Sequence, residues 1–374
     1  MKKIKFSIIT ICLNEQERIS KTLKSICTQT YTDFEHIIQD GGSTDNTLSV
    51  VKGMQGFYKA NQLKIYSESD AGLYDAMNRA VRKASGEYIC FINSGDTLLD
   101  QNTLLNIANM MTKYPEMDWY YGKCIVVFPN GDEYIQMPVS IENINGLDLT
   151  DKLKKEHLKL NHQSIFAKKS CLEEFPFDTK YKLRAELKWY YDCLLSKKRV
   201  KAVDFAVCKY SFGGISERCS SMPVHAREVK QILQEKGLLS DELKSMLPKE
   251  DDYGESYKNI YNLWLALLQA GGSIEKYLLS KSVNKIAIYG CAELGTHLVN
   301  ELKRSSIDIK CLIDRESKTP YSGIEIIRPE DFCGEVDLVI VTAIVHFPEI
   351  YDYMKKLTDC RIVSLEEVLE QAWL

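Results

Sequence analysis

The chain has 374 residues, too many for one ordinary domain and enough for two or three. Hydrophobic residues supply 45% and charged residues 27%, the balance of a soluble protein with a sizeable core, which excludes disorder, collagen and coiled coil as descriptions of the whole. The formal net charge of -4 gives no global basic field, so no nucleic-acid partner is expected. The twelve cysteines are scattered, without a CxxC pair or a tight Cys/His cluster, and read as reduced, mostly buried thiols rather than a zinc site. The start, MKKIKFSIITICLN, reaches Asn14 and Glu15 without a small-residue cleavage site, and no run approaches the ~20 apolar residues of a membrane helix. The expectation is a cytoplasmic protein.

Two periods alternate over the first 130 residues. Phe6–Cys12 (FSIITIC) is an apolar, β-branched run and predicts a buried strand. Glu17–Gln29 has helical spacing through Ile19, Leu23 and Ile26. His36–Gln39 is a second strand, closed by Asp40-Gly41-Gly42-Ser43, and Thr44–Met54 a helix with Ser43 or Thr44 as its N-cap. Leu63–Tyr66, Tyr88–Ile92 and Trp119–Phe128 are further strands, with helices over Leu73–Ala84 and Thr103–Tyr114 between them. This alternation predicts an α/β fold with a parallel sheet covered by helices on both faces.

Ligands of such sheets sit at the carboxyl ends of the strands. The residues just past the first four strands are Asn14-Glu15, Asp40-Gly41-Gly42-Ser43, Glu68-Ser69-Asp70 and Asn93-Ser94-Gly95-Asp96. Every end carries a carboxylate, which suggests a cleft for a metal and for sugar or ribose hydroxyls.

From about Asp148 to Gly214 the texture changes. His162–Phe166 reads as a strand in a mixed region and Glu186–Leu195 as a helix, and Gly213-Gly214 breaks the chain. Residues 222 to 280 read as helical, with Tyr257, Ile260, Tyr261, Trp264 and Leu268 on one face, either a packing face or a membrane-surface or partner helix. A second α/β unit of about ninety residues begins near Val283. Its strands are Lys285–Tyr289, Ile309–Ile313 and Val336–Thr342, with a helix through Leu302.

The segments FSIITICLNE, QDGGSTDNT, SDAGLYDAMNRA and SGEYICFINSGDTL, in that order, resemble the nucleotide-sugar half of a family 2 glycosyltransferase of the GT-A fold, of the type that builds bacterial surface polysaccharides. The resemblance continues through NHQSIF and AELKWYYD to FGGIS, about residues 5–220. It implies three parts: a GT-A domain over 1–220, a helical connector over 221–282, and a Rossmann-like domain over 283–374.

The resemblance assigns nucleotide-sugar binding to Glu15, Asp40, Ser43, Asp70, Arg79, Asn93 and Asp96. For Asp40 the alternative is a turn residue before Gly-Gly, and for Arg79 a solvated helix-face cation. Asp96 is the expected ligand of Mg²⁺ or Mn²⁺, although Asn93-Ser94-Gly95-Asp96 keeps only the last acid of the usual Asp-x-Asp-type pattern. Glu186, at a helix start, is the expected general base, with Asp192 in reserve and His162-Gln163 near the acceptor or diphosphate. In the C-terminal unit, Gly290 and Gly295 match the outer glycines of G-x-G-x-x-G, Ala292 replaces the middle one, and Asp314 stands where a ribose-binding acid would be.

The implied function is inverting transfer of a sugar from a nucleoside diphosphate, UDP, to a hydroxyl of a growing glycan or lipid-linked saccharide. Membrane association would then be peripheral, and the oligomeric state is left open. The alternatives are an NAD-dependent oxidoreductase acting through residues 285–314 and a non-catalytic nucleotide-sugar-binding scaffold.

Overall fold

The computed structural model describes residues 5–128, 131–138, 141, 146–154, 158, 160–212, 221–247, 254–315 and 320–373. The Gly213-Gly214 break falls outside them. The chain divides into two compact units, one within Met1–Phe212 together with Val224–Leu247, the other comprising Gly213–Pro223 and Pro248–Leu374.

The strands of the first unit are β1 (Phe6–Cys12), β2 (Phe34–Asp40), β3 (Leu63–Ser67), β4 (Tyr88–Phe91), β5 (Thr97–Leu98), β6 (Trp119–Val127), β7 (Glu133–Gln136), β8 (Ile165–Lys168) and β9 (Val200–Ser211). Their order in the sheet is β3-β2-β1-β4-β8-β6-β9-β5, with β7 paired on β6. The first four strands are parallel as expected. Beyond them the sheet turns mixed, because β8 runs antiparallel to both β4 and β6.

Every residue of β1 and β2 is buried, as helix cover on both faces demands. Ile9 and Ile11 point into one core and Phe6, Ile8 and Cys12 into the other, the two-residue period of a strand. The helix after β2 starts at Thr47, with Asn46 as an N-cap that makes no side-chain bond, so Ser43 and Thr44 are not its caps. The expected strand at His162 begins with a 3₁₀ turn over His162–Ser164, and the strand proper is β8.

The second unit holds β10 (Lys285–Tyr289), β11 (Asp308–Ile313), β12 (Ile326–Ile327), β13 (Leu338–Val341) and β14 (Ile362–Ser364) in an all-parallel sheet ordered β12-β11-β10-β13-β14. The helices between 221 and 282 divide between the two cores. Met222–Glu235 packs Val229, Ile232 and Leu233 into the first unit, and Gly254–Gln269 packs Ile260, Trp264 and Leu267 into the second. The apolar stripe is therefore a packing face, with Leu268 off it and 45% exposed. No described helix is long and apolar enough to cross a membrane, and the described cysteines are free thiols.

The sheet also buries a carboxylate that the sequence does not advertise. Glu35 is 2% exposed and stands opposite Ser7 in the β1–β2 register. It accepts from Ser7 Oγ (2.5 Å), Lys64 Nζ (2.5 Å), and the Ser85 N–H and Oγ. Burial pushes its pKa up, and the bonds from Lys64, Ser7 and Ser85 outweigh that, holding it down at about 2. A carboxyl whose folded pKa lies below its ordinary value stabilises the fold above that ordinary value, and the stabilisation is lost as pH falls through the folded one. Glu35→Gln should therefore cost about 2 kcal/mol at neutral pH. It should also flatten the fall of melting temperature between pH 4.5 and about 2. A mutant that keeps the wild-type acid limb in thermal melts would remove Glu35 from that role.

Candidate active site

The parallel strands β1 to β4 end on one side, and their exits are knitted together by hydrogen bonds. Asp40 is fully buried. Its Oδ2 accepts from the Gly42 and Ser43 N–H groups at 3.1 and 3.0 Å and from Ser67 Oγ at 2.6 Å, while Oδ1 accepts from Ser43 Oγ at 2.5 Å. Ser43 Oγ also accepts from the Asn14 N–H at 2.8 Å. Asp40 and Ser43 thus shape the loop and join it to the β1 exit. Asp70 comes to the same mouth: a Cβ on Gly41 would lie 2.8 Å from its Oδ2, so a side chain at 41 would push the carboxylate aside. Its Oδ1 accepts from the Gly72 N–H at 2.8 Å, and exposed Leu13 lies beside Gly41. Glu15 grips Arg18 with two bonds of 2.9 Å. Arg79 donates to the Ser69 carbonyl and pairs with Asp75 at 2.8 Å and Glu68 at 3.5 Å, bracing the β3 exit.

At the β4 exit, Asp96 is 4% exposed. Its Oδ1 accepts from the Ser211 N–H and its Oδ2 from the Gln163 amide, each at 2.9 Å. Burial pushes its pKa up to about 7, against the pull of those two bonds and of Arg18 and Lys21. Both oxygens are turned inward, and among the described residues no three His, Cys, Asp or Glu side chains could hold a metal ion together. A divalent cation at Asp96 would find one carboxylate whose two oxygens already accept from protein groups, so most of its oxygen shell would have to come from elsewhere. In the same loop Asn93 donates from Nδ2 to His162 Nε2 at 3.1 Å. Burial lowers the pKa of His162, which favours the neutral ring, and Nε2 accepts from Asn93 when the ring proton sits on Nδ1.

His162 and Glu186 line one small cavity with Phe91, Phe177 and Trp189. Glu186 is 6% exposed and sits in the first turn of the Ala185–Leu195 helix, where the helix dipole favours a negative charge. The Tyr74 O–H donates to its Oε2, and the Arg184 guanidinium reaches Oε1 at 3.3 Å. Glu228, from the Met222–Glu235 helix, accepts from the backbone N–H groups of Lys182, Leu183 and Arg184 at 2.6, 2.9 and 3.0 Å and so fixes the turn before Glu186. The Asn78 side chain exchanges two bonds with the Phe177 backbone, tying the Tyr74 helix to the same region.

The structure therefore brings Asn93, His162 and Glu186 together, and Glu15, Asp40, Ser43 and Asp70 at the neighbouring mouth. It does not bring Asp192 there. Six residues past Glu186, Asp192 is turned about 240° around the helix and binds Lys188 at 2.9 Å and Lys236. Sequence reasoning missed Tyr74, Arg184 and Glu228. Tyr74 lies within the Gly-x-Tyr-Asp-Ala-Met-Asn segment, the one signal that could have found it.

In the second unit, Gly290 (φ +102°) and Gly295 pack so closely that a Cβ on Gly295 would lie 2.0 Å from the Gly290 carbonyl. Asp314 Oδ2 accepts from the Cys291 N–H at 3.0 Å, so these three residues do meet, around the loop itself.

Asp96→Ala should strip the partners of Ser211 N–H and the Gln163 amide and cost about 2 kcal/mol, roughly 4–8 °C in Tm for a unit of this size. Thermal melts would check this, and an unchanged Tm would deny Asp96 its structural role.

Residues 7–174 match the family model described as glycosyl transferase family 2. The chain is 30% identical over 217 residues to a PGL/p-HBAD biosynthesis glycosyltransferase of Mycobacterium bovis (strain BCG / Pasteur 1173P2), across 56% of this chain and 78% of that one. It is 33% identical over 124 residues to the GalNAc(5)-diNAcBac-PP-undecaprenol beta-1,3-glucosyltransferase of Campylobacter jejuni, across 33% of this chain and 38% of that one. A solved structure of S. aureus TarS 1-349 in complex with UDP-GlcNAc is similar in fold, with a TM-score of 0.50, 19% identity, and coverage of 64% of this chain and 72% of that one.

Proposed function

This chain belongs to the family 2 glycosyltransferases and has their GT-A fold, and on that basis we propose that its first unit moves a sugar from UDP to a hydroxyl of a growing cell-surface glycan. The observation that carries this reading is the carboxylate of Glu186, held by Tyr74 and Arg184 in a cavity shared with His162, which Asn93 of the β4 exit contacts. A nucleoside diphosphate at the strand ends would set its sugar between that exit and Glu186. The acceptor oxygen then attacks the anomeric carbon, the bond to the diphosphate oxygen breaks, and Glu186 takes the hydroxyl proton. One displacement inverts the anomeric centre. Asp70 and Glu15 are the nucleoside-facing acids in this reading, and Asp40 and Ser43 hold their loops.

The name of the Campylobacter relative, which refers to an undecaprenol-linked glycan, supports a lipid-linked saccharide as acceptor. The enzyme would work in the cytoplasm, peripherally at the inner membrane face. The second unit, with its parallel sheet and Gly290–Gly295 loop, is proposed to be a Rossmann-like module affecting acceptor use, assembly or regulation.

Glu186→Gln should keep UDP affinity, read by calorimetry, and lose transfer by ~10²–10⁴-fold, the usual worth of a general base. Asp192→Asn should change transfer by less than about tenfold, because its lysine partners lie off the site. Equal losses in the two variants would overturn the assignment.

The boundary between the units matters for the same carboxylate. A chain ending at Leu247 retains Glu228 and should bind UDP as the whole chain does. A chain ending at residue 220 loses it and should melt lower and bind UDP more weakly. Equal behaviour of the two truncations in melts and calorimetry would place the boundary earlier.

A further inference from the structure

Sugar transfer from UDP requires positive charge where the diphosphate sits, and the described carboxylates do not assemble a metal ion to supply it. The β4 exit offers something else. Gly95 has φ +91°, and a Cβ built on it would lie 3.6 Å from both Cδ and Nε of Arg18. The Arg18 side chain thus lies against the Gly95 backbone, within van der Waals reach of position 95. Glu15 fixes the guanidinium there with two bonds.

Lys21 follows Arg18 by three residues, close to one helical turn. Its Nζ donates to Ser211 Oγ at 2.9 Å, and Ser211 Oγ donates to the Gly95 carbonyl at 2.6 Å. The acid of this loop, Asp96, is turned inward with both oxygens accepting from protein groups. Two further buried atoms of the loop, Asn93 Oδ1 and Ser94 Oγ, have no hydrogen-bond partner among the described residues. Buried polar atoms are nearly always satisfied, so these two orphans leave spare hydrogen-bonding capacity in the loop that Arg18 contacts and Lys21 reaches through Ser211.

We propose that Arg18 and Lys21 bind the donor's diphosphate directly, and that this chain needs no divalent cation to do so. The proposal rests on the donor reading above. The planar guanidinium suits two phosphate oxygens at once, and the ammonium acts as a point charge. As the anomeric carbon–oxygen bond breaks, its electron pair passes to the diphosphate oxygen while the acceptor's proton goes to Glu186. Cations already fixed at that position stabilise the growing charge without reorganising.

The test is calorimetry on the full chain with UDP and with uridine, in EDTA and with Mn²⁺. UDP affinity should agree within about twofold between the two conditions. Lys21→Ala should weaken UDP roughly tenfold or more and leave uridine unchanged, and Arg18→Ala should weaken UDP at least as much. Lys21→Arg should restore most of the loss. UDP affinity that vanishes in EDTA and returns with Mn²⁺ overturns the proposal and leaves UDP as the donor. Failure to bind UDP in either condition overturns the donor reading and the proposal with it.

Discussion

A carboxylate taken out of water must have its oxygens hydrogen-bonded, and the first unit meets that demand for Asp96 with groups from two distant segments. The Ser211 N–H closes the end of β9 and the Gln163 amide belongs to the turn before β8. The parallel half of the sheet, which ends at the β4 exit, is thereby pinned to the mixed half. His162 stands next to Gln163 in that turn, so pinning the turn also places the imidazole against Asn93 and beside the Glu186 cavity. The arrangement of the site follows from satisfying one buried acid.

That constraint separates acids solvated within the strand-exit loops from one held at a helix start. Asp40 and Asp96 lie at strand exits, where a ligand would be met, yet their hydrogen bonds run inward. Glu186 lies farther along the chain and is held by a phenol and a guanidinium at a helix start, where its negative charge is favoured. The acids divide by what solvates them, and burial alone does not predict the division, since Asp40, Asp96 and Glu186 are all nearly inaccessible.

Much of the parallel sheet is legible in the sequence because its strands are short apolar runs closed by turn residues. Phe6–Cys12 and Lys285–Tyr289 are read to the residue. β9 is not legible: VKAVDFAVCKYS mixes lysines and an aspartate into a strand that pairs with β6 through two register shifts. Glu186 is visible from its place at a helix start, whereas Tyr74 reads as one more core aromatic until the carboxylate 112 positions away is seen beside it. For Asp96 the position is legible and the role is not, because its partner Ser211 lies 115 residues downstream. Local patterns locate elements, and long-range hydrogen bonds decide what the elements do.

Glu228 carries a consequence for the order in which the molecule is made. The sheet of the first unit is complete once Ser211 has been synthesised, but the turn that presents Glu186 takes three of its backbone hydrogen bonds from a side chain seventeen residues later. A nascent chain emerging from the ribosome can fold its strand exits before it can orient Glu186. The strand ends and the Glu186 turn therefore mature at different moments of translation, the turn only after the Met222–Glu235 helix has arrived.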